Sequence, residues 1–321
     1  MGRIGIFVFL LAVGAASCQT PGPGPVAAYS SNDSVYIVSK AGEVVSTIRM
    51  PIKVGEFSFS PDLKRLVLVT RHPNADESGG KMYLYSLASK HLQRIPRHAL
   101  RPESAKSEVY SEPQFSADGT RLFFNTHPHA EGDLAETNGP IAEIDLKSLH
   151  ETVLESTAVL LTDGFRLSPN GGGFLLWDEG KVIDVNGTTL FDFHDFQLDE
   201  SFKWALDQAW IGNSCVLYRA GKSANSQIAG EIAYFVLDLK TMKSTSALKT
   251  LGISDRELDG LAAYRYPYAV VKRSPGSAGK QESGYFLVSP GVLRVKLAPA
   301  DAMEIQIIAN NVTDKSPGEC R

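Results

Sequence analysis

Two imidazoles and two carboxylates fall within seven residues at His127, His129, Glu131 and Asp133, in the run Thr126-His127-Pro128-His129-Ala130-Glu131-Gly132-Asp133. Such donors bind divalent ions when they converge. A single short loop seldom fixes a coordination geometry, however, and Pro128 restricts how this one folds back. An exposed polar loop is the plainer reading. No cofactor is therefore the default expectation, with one divalent ion at this loop as the alternative.

A second concentration is basic. Residues 90 to 106 hold Lys90, Arg94, Arg97, Arg101 and Lys106 against only Glu103. A polar stretch from Arg71 to Gly80, with His72, is expected on the same side of the molecule. Arg94, Arg97, Arg101 and His72 are the candidate partner-binding residues, suited by charge to an acidic envelope protein or an anionic envelope polymer; a merely solvated connection is the alternative. The net charge of -4 argues against a general nucleic-acid binder, which would be basic over a whole face.

Signatures of common catalysts are missing: there is no G-x-S-x-G elbow, H-E-x-x-H pair, P-loop or G-x-G-x-x-G. Binding rather than catalysis is expected, as a protein-interaction or ligand-binding scaffold. The alternative is an enzyme, of hydrolase or lyase type, or a small-ligand binder with its site at the mouth of a central channel. Such a site would need carboxylates or imidazoles converging from several parts of the chain, and leaves no local motif. Trp177, Trp204 and Trp210 lie in strand-like runs, where core packing is the expected role.

The N-terminus reads as an export signal. Arg3 precedes an apolar or small run from Ile4 to Ala16, and Ala15-Ala16-Ser17-Cys18 resembles a bacterial lipobox. Cys18 is the expected lipidation site, and Gln19-Thr20-Pro21-Gly22-Pro23-Gly24-Pro25 suits a tether. The expected division is a signal peptide over 1–17, a Pro/Gly tether over 18–25, a folded domain over 26–310 and a tail over 311–321. The product is expected to be a periplasmic or outer-membrane lipoprotein, or alternatively secreted, monomeric, and on the membrane only through its anchor. Cys215 lies in an apolar run and reads as a buried free thiol, although pairing with Cys320 stays open.

The elements that must carry these residues come from a repeat. FSFSPDLKRLVLV at 57–69, PQFSADGTRLFFN at 113–125 and FRLSPNGGGFLLW at 165–177 align, with QAWIGNSCVLY at 208–218 as a weaker copy. Each reads as a hairpin whose turn uses Pro for φ, Asp or Asn for backbone bonding and Gly for positive φ. A second hairpin follows each, as in KMYLYSLASKHLQRI at 81–95 and IAEIDLKSLHETVL at 141–154. Two hairpins per period make a four-stranded antiparallel blade whose faces only neighbouring blades can cover. The expected fold is thus an all-β propeller of six blades, with seven as the alternative. Residues 26–49 supply only three strands, and Glu304-Ile305-Gln306-Ile307-Ile308-Ala309 is expected to complete that blade and close the ring. The Ser-Pro-Asp-Gly-like hairpin followed by an Asp-Leu-Lys hairpin resembles the WD40-like repeats of the TolB-like propeller family. That resemblance implies architecture and is almost silent on activity.

Overall fold

The computed structural model describes residues 25–70, 80–95, 109–127, 140–154, 164–176, 179–195, 204–221, 232–265, 268–273, 283–290 and 292–308. The described strands form six four-stranded antiparallel sheets. Blade 1 joins β1 (Pro25–Ser31), β2 (Ser34–Ser39) and β3 (Val44–Arg49) to a strand from the far end of the chain, β24 (Ile305–Ile307). Blade 2 holds β4 (Val54–Phe59), β5 (Arg65–Thr70), β6 (Met82–Ser86) and β7 (His91–Arg94). Blade 3 holds β8 (Val109–Phe115), β9 (Arg121–His127), β10 (Ile141–Asp145) and β11 (Glu151–Val153). Blade 4 holds β12 (Phe165–Leu167), β13 (Gly173–Leu176), β14 (Lys181–Asp184) and β15 (Thr189–Asp192). Blade 5 holds β16 (Trp204–Gly212), β17 (Cys215–Gly221), β18 (Ile232–Asp238) and β19 (Lys243–Ser246). Blade 6 holds β20 (Leu261–Arg265), β21 (Tyr268–Arg273), β22 (Gly284–Ser289) and β23 (Val292–Ala298). The chain is a six-bladed β-propeller.

The turn serines do structural work at the first hairpin of blades 2, 3 and 4. Ser60 Oγ donates to Asp62 at 2.6 Å and accepts the Arg65 N–H at 2.9 Å. Ser116 repeats both contacts with Asp118 and Arg121, and Ser168 repeats them with Asn170 and Gly173. All three serines are buried, so each hydroxyl satisfies a backbone donor that water cannot reach. At the next turn position Gly119 and Gly171 take φ near +70°, and blade 2 forces Leu63 into the same left-handed region at +53°. Replacing Ser116 by Ala is expected to cost roughly 1–3 kcal/mol, because it strands the Arg121 N–H. A urea midpoint equal to that of the parent protein would contradict this.

Apolar packing follows the ring. Six buried clusters each join two adjacent blades: 1 with 2 around Phe57 and Leu66, 2 with 3 around Val67 and Phe124, 3 with 4 around Phe123 and Phe174, 4 with 5 around Leu175 and Tyr218, 5 with 6 around Leu217 and Val271, and 6 with 1 around Leu287 and Val26. The last of these shows that the ring is closed. β24 pairs with β1 through Ala27–Ile307, Ala28–Gln306 and Tyr29–Ile305. Ile305 and Ile307 enter the cluster shared with blade 6, whereas Ile308 enters the one shared with blade 2. The expected latch is therefore present, wedged between two neighbours.

Two features depart from the sequence reading. After blade 5 the chain forms short helices α1 (Ala247–Leu251) and α2 (Asp255–Leu258), which bury Ala247, Leu251 and Leu258 against blades 5 and 6. Ser254 and Glu257 form a capping box at α2. The second is Cys215, which is disulfide-bonded rather than a free thiol; its partner lies outside the described residues. Burial in an apolar run accommodates a disulfide as readily as a thiol, so strand patterning alone did not separate the two.

Candidate functional site: a charged cluster at the channel

The first strands of blades 2 to 6, with β24 for blade 1, form the inner wall of the ring; β4 touches β8, β8 touches β12, and β16 and β24 both touch β20. Their register can be set by the turn serines. Glu56 stands four residues before Ser60, and Glu112 four before Ser116. Blade 1 has no such serine, but glutamines supply the reference. Gln114 Oε1 accepts the N–H of Leu167, the residue before Ser168 in the next blade, at 2.9 Å. Gln306 Oε1 likewise accepts the N–H of Phe59, the residue before Ser60, at 3.0 Å. Gln114 and Gln306 are thus equivalent. Glu304, two residues before its glutamine as Glu112 is, occupies the same rung as Glu56 and Glu112.

Backbone irregularities point these side chains. The β4–β5 register shifts between Val54 and Glu56, and the β8–β9 register between Ser111 and Gln114. Bulges of this kind bend a strand and re-aim a side chain. Glu112 has φ +53°, while every other described non-glycine residue with positive φ lies in a turn between strands. A left-handed residue inside a strand is strained, and strain of this sort concentrates at binding sites. Here it lets the Glu112 N–H donate to Glu56 Oε2 while its own carboxylate pairs with Arg166 Nη1.

Arg166 comes from blade 4, two residues before its turn serine. Its peptide is gripped from both sides. Gln114 Nε2 of blade 3 donates to Phe165 O at 2.7 Å, and Trp210 Nε1 of blade 5 donates to Arg166 O at 2.8 Å. Arg166 Nη1 also donates to Phe165 O at 3.1 Å. Its side chain keeps 42% of its surface accessible. Because its partner Glu112 stands on the inner strand β8 of the neighbouring blade, that surface lies beside the inner wall of the ring.

Three carboxyls therefore face one guanidinium. Burial, then the charges of Glu112 and Glu304, push the Glu56 carboxyl up to about 8, opposed by the Glu112 N–H and by Arg166. Burial and Glu112 push Glu304 up to about 7, opposed by Arg166. Arg166 is raised above its ordinary value, chiefly by Glu112. Glu304 has neither a hydrogen bond nor an ion pair through its carboxyl among the described residues. No three histidine, cysteine, aspartate or glutamate side chains among the described residues are gathered closely enough to hold a metal ion.

Most of the sequence-derived candidates are not among the described residues. Cys18, His72, Arg97, Arg101, His129, Glu131 and Asp133 fall outside the described residues, and of His127 only the backbone, ending β9, is described. Arg94 ends β7 with its side chain exposed. Trp210 is buried as expected and adds the hydrogen bond to blade 4. None of the four channel residues was singled out from sequence, although a glutamate four places before the turn serine in two repeats is a readable signal.

No family model matches the chain, and no curated protein sequence is significantly similar to it. Solved structures do resemble it in fold. An oligogalacturonate lyase in complex with manganese superposes with a TM-score of 0.50 at 14% identity, over 84% of this chain and 71% of that one. A functionally unknown protein from Desulfotomaculum acetoxidans gives a TM-score of 0.48 at 8% identity, over 88% of this chain and 99% of the other. The β-propeller domain of the Trilobed protease from Pyrococcus furiosus gives 0.43 at 10% identity, over 73% and 68%. At such identities the likeness concerns the fold alone.

Proposed function

We propose that this chain is an exported propeller of the TolB-like repeat type that binds a small ligand carrying a positively charged nitrogen, with Glu56, Glu112 and Glu304 as its recognition groups. The observation that carries the reading is the shared rung of these carboxyls in three successive blades, opposed by a single arginine. An inner wall built only to close a ring would favour apolar side chains, since half-buried carboxyls that repel one another cost stability. A cation placed among them relieves that cost. The spread of the carboxyls favours an organic ammonium group over a bare metal ion. Convergence from several blades also meets the requirement for a catalytic channel, but the described residues of the wall add no imidazole to the cluster. Binding is the reading adopted.

The test is calorimetric titration at pH 8 with putrescine and spermidine, with manganese and succinate as comparisons. The amines are expected to bind, and Glu304→Gln to weaken them at least tenfold, since a partly buried charge pair is lost. Absence of amine binding, or equal binding by the Glu304→Gln variant, would overturn the assignment.

A further inference from the structure

Arg166 offers more than a counter-charge. Guanidinium carries donors on two edges, yet both of the hydrogen bonds that Arg166 donates among the described residues, to Glu112 and to Phe165 O, leave from Nη1. Nε and Nη2 have no acceptor among the described residues. Those donors belong to a side chain that is partly accessible beside the inner wall and whose peptide is fixed by Gln114 and Trp210. A fixed fork of this kind matches a planar carboxylate with two parallel hydrogen bonds. The neighbouring rung, meanwhile, ends in Glu304, a half-buried carboxyl with no hydrogen-bond donor among the described residues.

From this we infer that the channel ligand is zwitterionic, an amino acid or a close relative, with its carboxylate on the Nε–Nη2 edge of Arg166 and its ammonium group toward Glu304 and Glu56. The inference rests on the proposed binding of a cationic nitrogen and extends it to the other end of the ligand. An isolated anion would be repelled by the three carboxyls, so the anionic group must arrive with its own positive charge. Glu112 already occupies Nη1 and keeps the guanidinium oriented while the second carboxylate binds. Displacing Glu112 is not required.

The experiment compares ω-amino acids from glycine to 6-aminohexanoate with the alkylamine and the carboxylate of matching length, by calorimetry at pH 8 on the full chain. One length of amino acid is expected to bind at least tenfold more tightly than its alkylamine, and the carboxylate not at all. Arg166→Gln should reduce that amino acid to the affinity of the amine, while Glu304→Gln should weaken amine and amino acid alike. Melting curves of both variants establish that they are folded; if Arg166→Gln is not, Arg166→Lys replaces it, since lysine keeps the charge but loses the fork. Alkylamines binding as well as every amino acid would overturn the zwitterion while leaving the cation site standing. Binding by neither class would remove both.

Discussion

A chain that ends at residue 302 is expected to lose cooperative unfolding altogether, whereas one that ends at residue 308 should unfold cooperatively. Both lack Cys320, so any disulfide it forms is lost equally and the comparison isolates residues 303–308. These six residues place Ile305 and Ile307 in the core between blades 1 and 6 and Ile308 in that between blades 1 and 2. They also supply the three-residue pairing with β1 and the Gln306 bond to Phe59. Removing one buried isoleucine side chain typically costs about 2–5 kcal/mol. Three of them reach the whole stability of an ordinary domain, about 5–15 kcal/mol. Deletion also leaves the inner edge of β1 unpaired, open to pairing with other chains. Near-ultraviolet circular dichroism and urea titration read the result: a single sharp transition in the shorter chain, at the midpoint of the longer one, would show that β24 does not close the ring.

That strand was legible because its alternation is unusual. Ile305 and Ile307 on one face and Ile308 on the other describe a strand covered on both sides, as a strand packed between two blades is. The blades were legible for a different reason: the turns repeat a chemistry, serine to aspartate or asparagine to backbone, that can be read without knowing which face is buried. The channel cluster was not legible in the same way. Along an ordinary strand, alternation says which residues face the core, but an inner strand packs between blades on both faces and meets the channel along its edge. Which side chain then reaches the lumen depends on a bulge, and Glu56 and Glu112 both sit at bulges. The repeats aligned from Phe57 and Pro113 begin one residue inside these glutamates. Arg166 lay within an aligned repeat, but nothing in its own segment reveals the Glu112 carboxylate that it meets from the preceding blade. The capping box Ser254-x-x-Glu257 was readable and marks a helix start that the strand pattern obscured.

Stability is expected to fall as pH rises from about 4.5 to 8, and replacing Glu304 by Gln should remove part of that fall. The sign follows from proton counting. In the unfolded chain Glu56 and Glu304 titrate near their ordinary value of 4.5, whereas in the folded protein they hold their protons to about 8 and about 7. Between these values the folded state binds more protons than the unfolded one, so raising the pH favours unfolding. Below 4.5 both states are protonated and the penalty vanishes; above 8 it is complete and constant. The turn aspartates act oppositely. Asp118 is lowered to about 2, first by Ser116 and then by the Thr120 backbone, so its contribution is present above its ordinary 3.8 and disappears as pH falls toward 2. The two trends together place the optimum on the mildly acid side of neutrality, near the point where the carboxyls of the turns are ionised and those of the channel are not. For Glu304 the raised value corresponds to roughly 3 kcal/mol at pH 8, and for a domain of this size that is about 5 °C in melting temperature. Glu304→Gln should therefore melt about 5 °C higher than the parent at pH 8 and at nearly the same temperature at pH 4.5. The same protons must leave when an ammonium group binds, so amine affinity should climb between pH 6 and 8, and more shallowly in the variant. A Glu304→Gln protein that melts like the parent at both pH values would mean that this carboxyl is ionised in the folded state at no cost, and that no cation is needed beside it.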